Sequence, residues 1–430
     1  MAIVTDLDDP DCTREFLEGL DIPDTEFNNW LSEMRVKYDV VQTAPRPAVP
    51  KTRTISILCA APVVMTSPSM SHAQTVSDRI GASIAEFIAD AKCSAADPRP
   101  DLVVNCAVED SADGYLVNVR VIDTVRDEIL HSNYSTCTSL VSWLHDPAGF
   151  GNFSWNVADA ALERLGHCRT EQSTAAFRAS FAQRALADVL SFDPERMRSS
   201  LDTLDDAIDQ LDDGLFLAMK AWSMMCLIME CMLPEDQDAL DEIEHLLARA
   251  QAKSPEDTMV MALSATTMAS LFGRYQDAMR LARRALLRSP NNILALQALS
   301  ISRAAQKRYD EAYKHSALAL AVAPPSKFEA RCHLHHALLC LMMGNTNEAL
   351  ENAQSAADCS PLYRAPRRQL IALHALVSDT DNSLREVEAL QSMEQDFSLE
   401  RYLYDETYHT HTLRKTGHLH QVLPMLSGML

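Results

Sequence analysis

The residues with the most chemical potential lie in two short stretches. RCHLHHALLC (331–340) carries Cys332, His333, His335, His336 and Cys340, with Cys332 and His336 one helical turn apart. YHTHTLRKTGHLH (408–420) carries His409, His411, His418 and His420. Imidazoles and thiols of this kind can hold transition metals. Their spacing is irregular, and the pattern around them, His315 included, is helical, so packed or solvated histidines are expected and no metal ligand is assigned. Acidic runs such as EDQDALDEIEH and LDTLDDAIDQLDDG read as solvated helix faces rather than cation sites. GASIAEF lacks the later glycines of a dinucleotide loop, and no nucleophile elbow, H-E-x-x-H or calcium loop occurs. The expectation is a chain with no catalytic residue and no cofactor, hence not an enzyme.

Charge narrows the partners. Over 430 residues the formal net charge is -22, a field that repels phosphate backbones. Basic pairs such as Arg283-Arg284 and Arg367-Arg368 sit within helical patterns as solvated surface, so direct nucleic-acid binding is not expected. The 11 cysteines are odd in number, scattered and never spaced C-x-x-C, as free thiols in a reducing cytoplasm would be. KTRTISILCAAPVVMTSPSMSHAQ has a basic flank, an apolar run and a small-residue end like a secretion signal. It begins at Lys51 behind an acidic segment, and the run is too short to span a bilayer, so a buried strand and loop is the reading and no membrane is expected.

The elements that would position these residues fall into four parts. Residues 1–40 are acidic and helical, and 41–52, with Pro45, Pro47 and Pro50, form a linker. Residues 53–167 read as a small α/β domain. In it a β-type run from Thr54 to Val64 precedes a helix marked by Val76, Ile80, Ile84, Phe87 and Ile88. Strands follow at Leu102–Val108, Tyr115–Ile122 and Glu128–Tyr134, with Asp113-Gly114 as a hairpin signal and Val117, Val119 and Val121 alternating with Asn118, Arg120 and Ile122. WNVADAALERLG returns to helix.

From 173 to 430 the chain is helical and repeats. Tyr275 and Tyr309, Ala278 and Ala312, Ala285 and Ala319, and Pro290 and Pro324 are each 34 residues apart, and Ala349, Ala356 and Pro361 continue the series after a spacing of 37. Small alanines let two helices approach closely, an aromatic fills the joint, and proline ends the second helix. MKAWSMMCLIMECM, with five methionines, reads as repeat core before a pliable binding surface.

Gly273, Tyr275, Ala278, Ala285 and Pro290 resemble the turn-to-proline pattern of the tetratricopeptide repeat family. The resemblance implies about seven hairpins stacked as a curved solenoid. VSDTDNSLREVEAL and HTLRKTGHLHQVLPML resemble worn members of the series. The fold class expected is α+β multidomain, a small α/β domain followed by an all-α tetratricopeptide solenoid. Its concave groove would use Val260, Leu263, Thr267, Leu294, Gln297, Ile301, Arg331, Leu334 and Leu338, an apolar set suited to an amphipathic helix of a protein partner.

The order of parts also resembles bacterial regulators. Phe16-Leu17-Glu18-Gly19-Leu20 followed by Phe27, Trp30 and Leu31 is similar to the activator segment that follows a winged-helix DNA-binding domain. The block Leu102–Tyr134, with Val119, Ile122, Asp123 and Tyr134, is similar to the TolB N-terminal domain, although the opening strand has Cys-Ala-Ala-Pro in place of Leu-Pro-Phe. The resemblance implies a cytoplasmic regulator, acting in transcriptional control through a transcription regulator or RNA polymerase and without a winged helix of its own. Three alternatives stay open: an activator whose DNA-binding head is missing here or supplied by a partner, the regulatory part of a nucleotide cyclase, and an envelope or secretion-associated repeat protein should translation start near Lys51.

Overall fold

The computed structural model describes residues 56–60, 63–64, 70–85, 92–93, 100–167, 174–323 and 326–428. The activator-like stretch, the linker, Phe87, Ile88 and Pro324 lie outside them.

The sheet is built around β4. Strands β1 (Ser56–Cys59), β2 (Val63–Val64), β3 (Lys92–Cys93), β4 (Leu102–Ser111), β5 (Gly114–Asp123) and β6 (Glu128–Cys137) run in the order β3-β1-β4-β5-β6, with β2 also on β4. β1 and β2 lie parallel to β4, and β4, β5 and β6 form an antiparallel meander. The β-type run expected over Thr54–Val64 is thus two short strands; the run contains Pro62, which has no N–H to give to a ladder.

Period-two alternation explains the covered face. Val104 stands opposite Val121, Cys106 opposite Val119 and Val108 opposite Val117, and all six are buried. Helices α1 (Met70–Ala85) and α3 (Asn152–His167) pack on the sheet, with α2 (Leu140–Leu144) and a single π turn, Pro147–Gly151, between β6 and α3. The hairpin turn is Ala112-Asp113, one residue earlier than the Asp-Gly signal implies, and Gly114 opens β5 at φ +138. A Cβ there would meet the Cys137 carbonyl at 2.3 Å, so only glycine fits.

Six helix pairs follow: α4 (Thr174–Val189) with α5 (Pro194–Gln210), α6 (Gly214–Met229) with α7 (Gln237–Lys253), α8 (Thr258–Ser270) with α9 (Tyr275–Arg288), α10 (Ile293–Ala305) with α11 (Tyr309–Val322), α12 (Glu329–Met342) with α13 (Thr346–Cys359), and α14 (Arg364–Leu376) with α15 (Thr380–Met393). Short helices α16 (Leu399–Tyr404), α17 (His411–Lys415) and α18 (His418–Ser427) close the array. Ala278, Ala285, Ala312, Ala319, Ala349 and Ala356 are all sealed in the hairpin joints, as the repeat pattern requires.

Each hairpin turn contains one left-handed residue: Phe192, Cys231, Gly273, Lys307, Gly344, Ser378 and Gly417. This residue reverses the chain between the two helices, and only three of the seven are glycine, which is why composition alone hides the outer units. The architecture is therefore a small α/β layer followed by an all-α tetratricopeptide-type solenoid. No helix among the described residues is long and apolar enough to cross a membrane.

The layer and the array share one hydrophobic core. The Asn152 side chain donates to the Val322 carbonyl at 2.9 Å, and Lys327 reaches Gln183 at 2.6 Å and Asp159 at 3.4 Å. Phe328, after the α11 end, lies edge-on to Trp155 of α3 and 6.5 Å from Trp222 of α6. The middle of the array thus folds back onto both the sheet helices and the early repeats.

Candidate functional site

The inner face of the array is largely occupied by its own chain. Helix α6 is apolar all round, with 14 buried residues, and an element of that kind has to be enclosed on every side. Trp222, Met219, Met224 and Met225 are buried, so most of the methionine-rich stretch is core, while Met229 and Met232 are half-buried.

Two buried ionic knots lock this filling in place. Arg178 of α4 pairs with Asp213 at 3.0 Å and Asp257 at 2.9 Å, the carboxylates that cap the N-termini of α6 and α8. Burial opposes the guanidinium charge, but Asp257 and Asp213 outweigh it and hold Arg178 protonated. In the second knot Arg368 of α14 donates to Glu394 at 2.7 Å and to the Met229 carbonyl at 2.7 Å, while Glu230 accepts from the Arg364 N–H at 3.0 Å. Burial pushes the Glu230 carboxyl up, against the pull of Arg368. Phe192 and Tyr363 stack with centroids 3.6 Å apart. The first two hairpins thereby grip the start of the sixth.

This closure changes what the expected groove residues do. Val260, Leu263, Thr267 and Leu294 are at most 1% exposed, because α6 lies over α8 and its neighbours, and they present no surface to a partner. Gln297, Ile301, Arg331, Leu334 and Leu338 instead line one cavity of about 360 Å³. Its floor is Met225 and Met229 of α6, its far wall includes Tyr363, Arg368 and Gln369 of α14, and His409, His411, Thr412 and Lys415 rim it.

Polar groups inside this apolar wall are few and incompletely satisfied. Arg331 lies over the Trp222 ring at 5.4 Å and donates to Gln297 at 3.4 Å. Gln369 Oε1, His335 Nε2 and His409 Nδ1 are buried without a protein hydrogen-bond partner. An apolar chamber with a few unmatched polar atoms is what an incoming side chain or small ligand completes. Only five of these lining residues were legible as an inner face; α14 and the 409–416 segment reach the chamber by tertiary closure, which leaves no local signal.

The histidine stretches resolve differently from one another. The Cys332 sulfur accepts from Gln297 at 3.4 Å. His418 pairs with Thr416 at 2.6 Å and His315 with the Glu311 carbonyl at 2.6 Å. Three groups among the described residues do bring ligand atoms within 4.8 Å of one another: Glu235 with His409 and His411, Glu329 with His333 and Cys359, and His336 with Cys340 and Glu348. Burial pushes the Cys226 and Cys231 thiols up to about 11 and those of Cys106, Cys332 and Cys340 to about 12, so none of these five is a ready nucleophile.

The cavity histidines make stability depend on pH. Burial, with Arg331 and Arg368 as the leading charges, lowers His335 from 6.5 to about 3 and His409 to about 4. Above pH 6.5 both states are neutral there, and the contribution is complete. As pH falls below that value the unfolded chain takes up protons that the folded chain refuses, so this stability is lost toward pH 4. Each histidine should contribute on the order of 2 kcal/mol, and the pair on the order of 4 kcal/mol, to the loss between pH ~7 and ~5. Urea midpoints of wild type and His335→Gln/His409→Gln check it: the double variant should lose less stability over that range, and equal slopes would refute the assignment.

No family model matches the chain, and no curated protein matches it. Solved structures similar to it include MamA 41-end from Desulfovibrio magneticus RS-1, at 18% identity over 41% of this chain and 95% of that one, with a TM-score of 0.30. A human IFIT1 dimer with PPP-AAAA is similar at 16% identity over 65% of this chain and 68% of that one, TM-score 0.40. A tetratricopeptide repeat protein from Parabacteroides merdae is similar at 13% identity over 64% and 98%, TM-score 0.37.

Proposed function

We propose that this chain is a non-enzymatic interaction module that captures a protein partner by taking an apolar side chain of an amphipathic segment into the cavity between α10, α12, α14 and the 409–416 segment. The observation that carries the reading is the chamber itself: about 360 Å³ walled by Ile301, Leu334, Leu338, Met225 and Met229, with Gln369, His335 and His409 left unmatched. An apolar side chain entering it gains burial, and a polar group of the same segment beside that anchor can satisfy those atoms, which a flat helical surface could not offer. Arg331 and Lys415 at the same site favour an acidic residue beside the anchor.

The finer reading, a cytoplasmic regulator whose partner is a transcription regulator or RNA polymerase, rests on the resemblance of residues 16–31 and 102–134 to activator proteins. The net charge of -22 supports a protein partner over direct contact with nucleic acid.

The test is a nuclease-treated capture from the native cells with the full chain as bait, comparing wild type with Ile301→Glu and Leu338→Glu. These two positions are half-buried at the cavity, so the variants should keep wild-type helicity and melting. Proteins held by wild type and lost by both variants support the reading, and recovery of polymerase or a regulator among them supports its finer form. Identical capture by folded variants would overturn the cavity as the site.

A further inference from the structure

His336 and Cys340 are four residues apart on α12, so they share one helix face, and Glu348 in the first turn of α13 reaches back to the same place. The Glu348 carboxylate lies 3.2 Å from His336 Nε2 and accepts from the Tyr313 hydroxyl at 2.6 Å. The Cys340 thiol lies beside the same carboxylate. The three ligand atoms all lie within 4.8 Å of one another. Bond lengths of about 2.0–2.3 Å set tetrahedral zinc ligands roughly 3.5 Å apart, so small rotamer adjustments close the set.

We propose that His336 Nε2, Cys340 Sγ and Glu348 bind one zinc ion, which staples the turn of the α12–α13 hairpin. Nitrogen, thiolate and carboxylate are the donor types zinc prefers. The remaining ring nitrogen, His336 Nδ1, is held at 3.0 Å by Ser316 of α11, which sets the ring orientation and aims Nε2 inward. Tyr313 fixes the carboxylate in the same way. On binding, the Cys340 S–H proton leaves to solvent and the thiolate and carboxylate together balance the two positive charges of the ion. The charged groups bearing on His336 are Glu348 and His333. The Glu348 side chain is 34% exposed, which gives the ion a way in and leaves the fourth position to a water.

This site is separate from the cavity and stands without the partner reading. Full-length protein freed of metal by a chelator is titrated with cobalt(II), a spectroscopic stand-in for zinc, and the cobalt is then displaced with zinc. The expected result is one equivalent with a thiolate-to-cobalt charge-transfer band and the ligand-field bands of a tetrahedral site. Cys340→Ser should abolish the thiolate band, Glu348→Gln should weaken zinc binding at least about tenfold, and Ser316→Ala should weaken it about tenfold through the ring orientation. Cys332→Ser and Cys359→Ser should leave the spectrum unchanged. Absence of the band in wild type overturns the proposal, as does its survival in Cys340→Ser or its loss in Cys359→Ser, which would place the metal on Glu329, His333 and Cys359. Should Cys340→Ser fail to fold, the Glu348→Gln affinity decides in its place, and an unchanged value overturns the proposal.

Discussion

Replacing Arg368 by methionine should lower the unfolding free energy by about 3–5 kcal/mol, the cost of leaving a buried charge without its partner. Arg368 is 1% exposed and ties three separated parts of the chain together. It donates to Glu394 after α15, to the Met229 carbonyl at the end of α6, and its own carbonyl accepts from the Tyr402 hydroxyl at 2.8 Å. Methionine fills the space but takes the ion-pair partner from Glu394, which keeps the Tyr408 hydroxyl at 2.7 Å, and the guanidinium donor from the Met229 carbonyl, while Glu230 loses the stronger of the two cations that offset its burial. Urea unfolding measures the loss. The double variant Arg368→Met/Glu394→Leu should recover a good part of it, because removing both charges removes the unpaired one. A single variant as stable as wild type, or a double variant no better than the single, would show that the knot does not hold the early and late repeats together.

Leu263→Glu has a comparable effect for a different reason. The side chain is fully enclosed between α8, α6 and the neighbouring helices. The substitution removes packing worth about 2–5 kcal/mol and buries a carboxylate, so a loss above about 4 kcal/mol is expected. The chain should melt at markedly lower temperature and lose helical signal at ordinary temperature. Leu338→Glu, at the half-buried cavity edge, should not. If Leu263→Glu melted like wild type, α8 would face solvent and the closure by α6 would be wrong. The contrast also guards the capture experiment, since lost capture in an unfolded variant says nothing about the site.

Periodicity made the repeats readable because each hairpin solves the same local packing problem. The alanines 34 residues apart, the tyrosine at the joint and the terminal proline recur wherever that problem does. The β4–β5 hairpin was readable for a similar reason: Val117, Val119 and Val121 must alternate if one face is covered. The turns at Phe192, Cys231 and Ser378 were harder, since left-handed geometry there is imposed on ordinary residues by the helices they join.

What the chain determined by itself was the main strands and the helical repeats, the absence of phosphate-loop and nucleophile-elbow motifs, and the faces the repeat helices prefer to bury. Those follow from interactions within about one helical turn or across one tight turn, so they leave a period in the residues. Only the tertiary structure decided which apolar face met which. Val260, Leu263, Thr267 and Leu294 look like a groove until α6 is laid over them, and His336, Cys340 and Glu348 become neighbours only when the α12–α13 turn brings two helices together. The Arg368 bond to Met229 spans 139 residues, and a contact at that separation comes from the curvature summed over several hairpins, which no single stretch of residues encodes.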